Sequence, residues 1–210
     1  MAVGKPASLD TVSSAAHPFG LPLGTVRAFL ALLILSYFWL VVYWPSPVKP
    51  FLGHCFLLPL VIYSFTLNRE PTGHFSFGTR ILPFLLRMVI VLGTLGALGY
   101  LFSRGVEHAR ERLTPDVEEI TGWWMPFAAT LAGGLLFGVI LNWLLGPNGK
   151  VFQSMRAWLS VVAMVMLSVE LGLFVIYLSS YGNDGGFVEF LRYYSIFEIG
   201  IVSAYFGTRI

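Results

Sequence analysis

Charge is scarce in this chain. Asp, Glu, Lys and Arg make up 11% of its 210 residues, where soluble domains carry about 25%. Hydrophobic residues make up 56% and the mean hydropathy is +0.76. A soluble fold of this composition would have too little polar surface to cover itself. The balance therefore excludes an ordinary soluble domain and places the chain in the membrane class. The net charge is only +2 and the basic residues are scattered, so no nucleic-acid-binding surface is expected. A single cysteine, Cys55, excludes a disulfide framework within the chain. Of His17, His54, His74 and His108, only His54 falls in an apolar run, which excludes a two-histidine haem site between helices. The sequence holds no CxxCH, GxSxG, HExxH, Walker loop or clustered-Asp motif. No catalytic residue is assigned, and the expectation is a protein that is not an enzyme and has no cofactor beyond bound lipid. Residues 1–24 contain Pro6, Pro18 and Pro22 and lack the apolar core of about 7–15 residues that a signal peptide needs. They read as an irregular cytoplasmic arm.

What the chain does have is long apolar runs. A spanning helix needs about 20 apolar residues. Six candidates lie within a single helical domain, residues 25–208: Thr25 to Trp44, Phe51 to Leu67, Arg80 to Ser103, Trp123 to Leu145, Ala157 to Ser179 and Phe187 to Thr208. The fold class is thus all-α, a polytopic membrane protein with about six transmembrane helices. Thr25 is the expected N-cap of the first span, with Pro45 and Pro47 as stops. The second span is short and contains Pro59. The sixth carries Glu189, Arg192 and Glu198, and an interfacial helix is its alternative reading. Pro83 and Pro126 lie near span ends and no internal repeat stands out, so a broken-helix substrate site is not expected.

Cytoplasmic loops carry the excess of Lys and Arg. With six spans and the N-terminus inside, the inner side holds Lys5, Arg27, Arg69, Arg80, Lys150, Arg156 and Arg209, against Lys49, Arg104, Arg110 and Arg112 outside. Both termini are therefore expected in the cytoplasm. The segment Arg104 to Gly122 reads as a membrane-surface elbow. Gly105 to Leu113 extends the third span as helix, and Thr114-Pro115-Asp116 opens the fourth with a cap, a first-turn proline and an acid. Tyr37, Trp39, Tyr43 and Trp44 read as belt residues.

Gly93, Gly96 and Gly99 recur every third residue on the third span, and Gly134 and Gly138 form GxxxG on the fourth. Small residues let helix backbones approach closely in lipid, so these two spans are expected to pack against each other. Glu170 and Glu198 fall in the middle of the fifth and sixth spans. A charge at that depth costs at least a few kcal/mol and marks a partner, a proton or a task. A short Gly-rich loop joins the two helices, so the carboxyls could face each other and share a proton. Arg192 and Arg87 are candidate partners of the glutamates, with Arg87 alternatively snorkelling to the inner interface, and Glu189, three residues from Arg192, is the simplest partner of that arginine. His54 is read as a hydrogen-bonded interfacial histidine, with metal ligation the lesser reading; no metal site is expected.

GLPLGTVRAFLALLIL (Gly20 to Leu35) and AYFGTR (Ala204 to Arg209) resemble the opening and closing segments of small uncharacterised bacterial multi-pass membrane proteins. The resemblance implies a bacterial inner (cytoplasmic) membrane and no particular activity. Two functions remain: a non-catalytic subunit that scaffolds a larger membrane complex, with lipid and other integral membrane proteins as partners, and a small proton- or cation-coupled transporter or channel built on Glu170 and Glu198.

Overall fold

The computed structural model describes residues 24–45, 49–66, 81–146, 149–179 and 185–210. The arm expected over residues 1–24 lies outside them apart from Gly24. The described residues form eight helices and no strand: α1 (Thr25–Tyr43), α2 (Leu52–Cys55), α3 (Leu58–Thr66), α4 (Ile81–Ser103), α5 (Val106–Leu113), α6 (Val117–Leu145), α7 (Lys150–Ser179) and α8 (Gly185–Gly207). Four of them, α1, α4, α6 and α7, are long and apolar enough to cross a membrane.

The second expected span is divided. Pro59 is the second residue of α3. Its ring excludes the preceding carbonyl of a continuous helix, while its missing N–H is harmless in a first turn. The chain turns through Phe56 and Leu57, whose amides bond back to Gly53 and His54 at 3.1 Å each. The 14-residue stretch Leu52–Phe65 would rise only about 20 Å as helix. It begins at depth: the Phe51 N–H donates to the Tyr37 hydroxyl at 3.0 Å, and Tyr37 is six residues inside the end of α1. Irregular backbone at such depth is tolerated where protein surrounds it. A broken helix is therefore present where none was expected.

Smaller boundaries also differ. Gly24 rather than Thr25 caps α1, and Asp116 rather than Thr114 caps α6; Thr114 instead ends α5 and bonds back to the Arg110 carbonyl at 2.6 Å. The third span does not run on into α5. Gly105 interrupts it at φ 104°, a conformation open to glycine and rare for other residues. The elbow that results is fixed to α1 by Arg112. This guanidinium is buried and donates to the carbonyls of Val41 at 3.1 Å and Trp44 at 2.9 Å, with Pro45 at 3.5 Å. Val41 is in the last turn of α1 and Trp44 is its C-cap, where a helix leaves carbonyls unsatisfied. Lys49 and Asp116 pair at 3.5 Å beside it.

The glycine seam has a different partner from the one expected. Gly134 and Gly138 of α6 meet α8, not α4. A Cβ on Gly134 would strike Ser203 and the Gly200 carbonyl, and one on Gly138 would strike the backbone of Ala204 and Gly207. On α4, Gly93 packs under the Trp39 indole of α1 and Gly96 faces the Tyr43 hydroxyl, while Gly99 meets nothing. The core that results is built from α1, α3, α6, α7 and α8, with Leu30, Ile34, Phe127, Leu167, Ile199 and Tyr205 among its buried side chains.

Candidate functional site

Ile34 stands midway along α1, nine residues or about 14 Å from either end. Around its carbonyl the structure assembles the polar centre of the molecule. His54, Glu170 and Glu198 are 2%, 2% and 1% exposed, so all three point inward and none meets lipid. The two glutamates do come together, as their depths suggested. The third member, His54, arrives from α2 rather than from an interface.

His54 Nδ1 lies 2.7 Å from Glu170 Oε2. His54 Nε2 lies 3.0 Å from the Ile34 carbonyl. The Ser195 hydroxyl, on the same face of α8 as Glu198, lies 2.9 Å from Glu170 Oε1 and 3.0 Å from the Leu191 carbonyl. Glu198 and Glu170 are close enough for their charges to act on one another. Among the described residues no N–H or hydroxyl donor reaches either Glu198 oxygen; its contact is the Glu170 carboxyl, and two carboxyls hydrogen-bond only when one of them carries a proton. Tyr37 stacks on the His54 ring at 3.9 Å and 20°, and Phe174 covers Tyr37 at 4.1 Å. Tyr37 is thus fully buried packing for the imidazole and not a belt residue. Gly53 brings the α2 backbone against Ser195 and Phe127, where a Cβ would meet atoms at 2.9 and 3.0 Å.

The bonding pattern determines where protons must be. A carbonyl only accepts, so His54 Nε2 carries hydrogen. Nδ1 and Glu170 Oε2 then hold one further proton between them. On nitrogen it makes an imidazolium–carboxylate pair; on oxygen it makes two neutral groups. Either way the pair has no net charge. Glu198 has the Glu170 carboxyl beside it, and two ionised carboxylates in contact in a dry core would cost far more than one carboxylate beside a neutral acid. The centre can therefore hold an acid beside a satisfied histidine–glutamate pair, within a helix bundle at mid-depth.

Arg192 does not join this centre, and it pairs with neither Glu198 nor Glu189. Its Nε lies 3.8 Å from Glu119 Oε1, and its guanidinium sits 5.9 Å from the centre of the Trp123 ring. Glu119 is buried in the first turn of α6, near the start of α2. Tyr194 ties α8 to α7 through the Met166 carbonyl at 2.9 Å. Among the described residues no three His, Cys, Asp or Glu side chains are arranged to hold a metal.

Ser195 was legible in principle: Leu191, Ser195 and Glu198 follow the four- and three-residue spacing of one helix face. Nothing local in the sequence signals that His54, 116 residues away, faces Glu170. Compared with known proteins, the chain matches no family model, no curated protein and no solved structure.

Proposed function

We propose that this chain is a small proton- or cation-coupled membrane transporter or channel in which Glu198, Glu170 and His54 relay a proton. The observation that carries this reading is the contact between two enclosed carboxyls, Glu198 and Glu170, beside the His54–Glu170 pair. A proton on Glu198 can pass to a Glu170 oxygen, leaving a carboxylate on Glu198 and an acid on Glu170. His54, protonated at both nitrogens, balances the charge of the carboxylate left on Glu198. Discontinuous helices are common where membrane transporters bind ions, and α2–α3 supplies one here. The Glu198 carboxyl is enclosed by this chain, so a neighbouring subunit's charge could reach it only after rearrangement. That weakens the case for Glu198 as a partner-pairing group.

The subunit reading keeps one observation of its own. The same bonds tie α1, α2, α7 and α8 together, as a purely structural clamp would. Reconstitution separates the two. Wild-type protein in liposomes should collapse an imposed pH gradient, and Glu198→Gln or Glu170→Gln should abolish that flux in a folded protein. Wild-type liposomes no leakier than empty ones would remove the relay, and a hetero-complex after gentle solubilisation would then support the scaffold.

The same proposal places the chain in a bacterial inner membrane with six crossings and both termini cytoplasmic, counting α2–α3 and α8 with the four apolar helices. The Lys/Arg bias supports it. In a Cys55→Ser background, Glu107→Cys should react with an impermeant thiol reagent from outside and Ile210→Cys only from inside. The reverse pattern would overturn this topology.

A further inference from the structure

At the end of the bundle where α1, α4 and α7 begin and α8 finishes, four guanidiniums from four elements converge. Arg27 is the third residue of α1, Arg87 the seventh of α4, Arg156 the seventh of α7, and Arg209 follows α8. Arg87 and Arg27 meet over Gly24, where a Cβ would lie 3.4 Å from the Arg87 guanidinium and 4.0 Å from that of Arg27, and Arg27 and Arg156 each lie within charge range of the other and of Arg209. All four are half-buried, so they can be reached from the membrane surface. Tyr205 lies beneath them: Arg209 sits 5.5 Å from its ring centre and approaches its hydroxyl at 3.5 Å. The Arg209 Nε is buried without a hydrogen-bond partner among the described residues.

The described side-chain carboxylates lie elsewhere. Glu107, Glu111, Asp116, Glu118 and Glu119 are at the opposite end with α5 and the start of α6, Glu189 is near the start of α8, and Glu170 and Glu198 are at mid-depth. The adjoining segments 1–23 and 67–80 contain only two acids, Asp10 and Glu70, alongside Lys5, Arg69 and Arg80.

We propose that Arg27, Arg87, Arg156 and Arg209 form a binding site for a phosphate anion, presented by the head group of an anionic phospholipid in the adjacent leaflet. Planar guanidiniums suit phosphate oxygens through paired N–H donors. Basic pockets between transmembrane helices are where anionic head groups bind. The site stands apart from the Glu170–Glu198 centre and does not depend on its function.

The test uses full-length protein in a neutral detergent, titrated with phosphatidylglycerol, phosphatidylcholine or sodium phosphate. Bound mass is read by native mass spectrometry and stability by the melting midpoint. Phosphatidylglycerol should bind and stabilise where zwitterionic phosphatidylcholine does not. Arg156→Gln with Arg209→Gln should weaken its binding roughly twenty-five-fold, about a factor of five per charge removed. Arg104→Gln, at the other end, should leave it unchanged. Should the double variant not fold, Arg209→Gln alone and the loss of lipid binding with rising salt carry the same test. Stabilisation by sodium phosphate that the variants lose would keep the anion site and make a free anion its ligand. Equal binding of the two lipids, or variants that bind phosphatidylglycerol like wild type, would overturn the proposal.

Discussion

α4 and α8 are both 23 residues long, and they occupy opposite environments. α4 carries one charge, Arg87, and is among the helices apolar enough to span. Yet it lies at the periphery, with Phe84, Leu92, Leu95 and Phe102 exposed. α8 carries Glu189, Arg192 and Glu198 and fails that apolarity measure, yet Ser195, Glu198, Ile199 and the run from Val202 to Gly207 are buried. In water the more apolar helix would be the central one. In lipid no hydrophobic force separates an apolar helix from its surroundings, so apolarity permits exposure while polar groups and close backbone contact draw helices inward.

The sharpest break of this contrast is at the seam that holds α8. Gly138→Leu would drive a side chain into the Ala204–Gly207 backbone, and overpacking against rigid backbone should cost about 3 kcal/mol or more. Gly99→Leu on α4, with open space around it, should cost nothing measurable. Unfolding by SDS titration compares them, and equal midpoints would contradict the seam.

His54→Ala comes next. It leaves Glu170 Oε2 without its 2.7 Å partner, a loss of about 3 kcal/mol for a broken buried pair. The value sits at the low end of that range because Glu170 can take up the shared proton. An alanine variant as stable as wild type in the same titration would show that the pair contributes no stability.

Arg112→Gln should cost less, about 2 kcal/mol, since it removes charged hydrogen bonds to the carbonyls at the end of α1. The loss should be local. Amide exchange should rise at Val41 to Trp44 and in α5 before it rises near Glu170; a uniform rise would mean that the elbow is not an independent fastening.

The smallest effect belongs to the lipid-facing side of α4. Leu92→Ala and Leu95→Ala should each shift stability by no more than about 0.5 kcal/mol, as for other surface substitutions. A cost as large as that of a core truncation would mean that this face is covered by protein, which would favour the scaffold reading over the relay.

Much of this was legible in the sequence because it follows from local composition. The apolar runs announced α1, α4, α6 and α7, and the depth of Glu170 and Glu198 brought them to a common level. Pairings were less legible. Arg192 chose Glu119, 73 positions away, over Glu189 on its own helix, because Glu119 and Trp123 are brought beside it by the α6–α8 seam. GxxxG indicated a close approach on α6 without saying which helix approaches. Pro59 marked a weakness in the second span, but its consequence appeared only once His54 was carried down to Glu170.

By itself, then, the sequence determined a helical membrane protein with two acids at mid-depth and arginines at the starts of several helices. Those are properties of single segments in lipid: a backbone that must satisfy itself and charges that must avoid hydrocarbon. The tertiary structure alone decided that His54, Ser195 and Glu198 surround Glu170, that Arg112 closes α1, and that four arginines share one end. A buried polar group is satisfied by whatever packing brings within about 3 Å, and that choice is made between helices far apart in the chain.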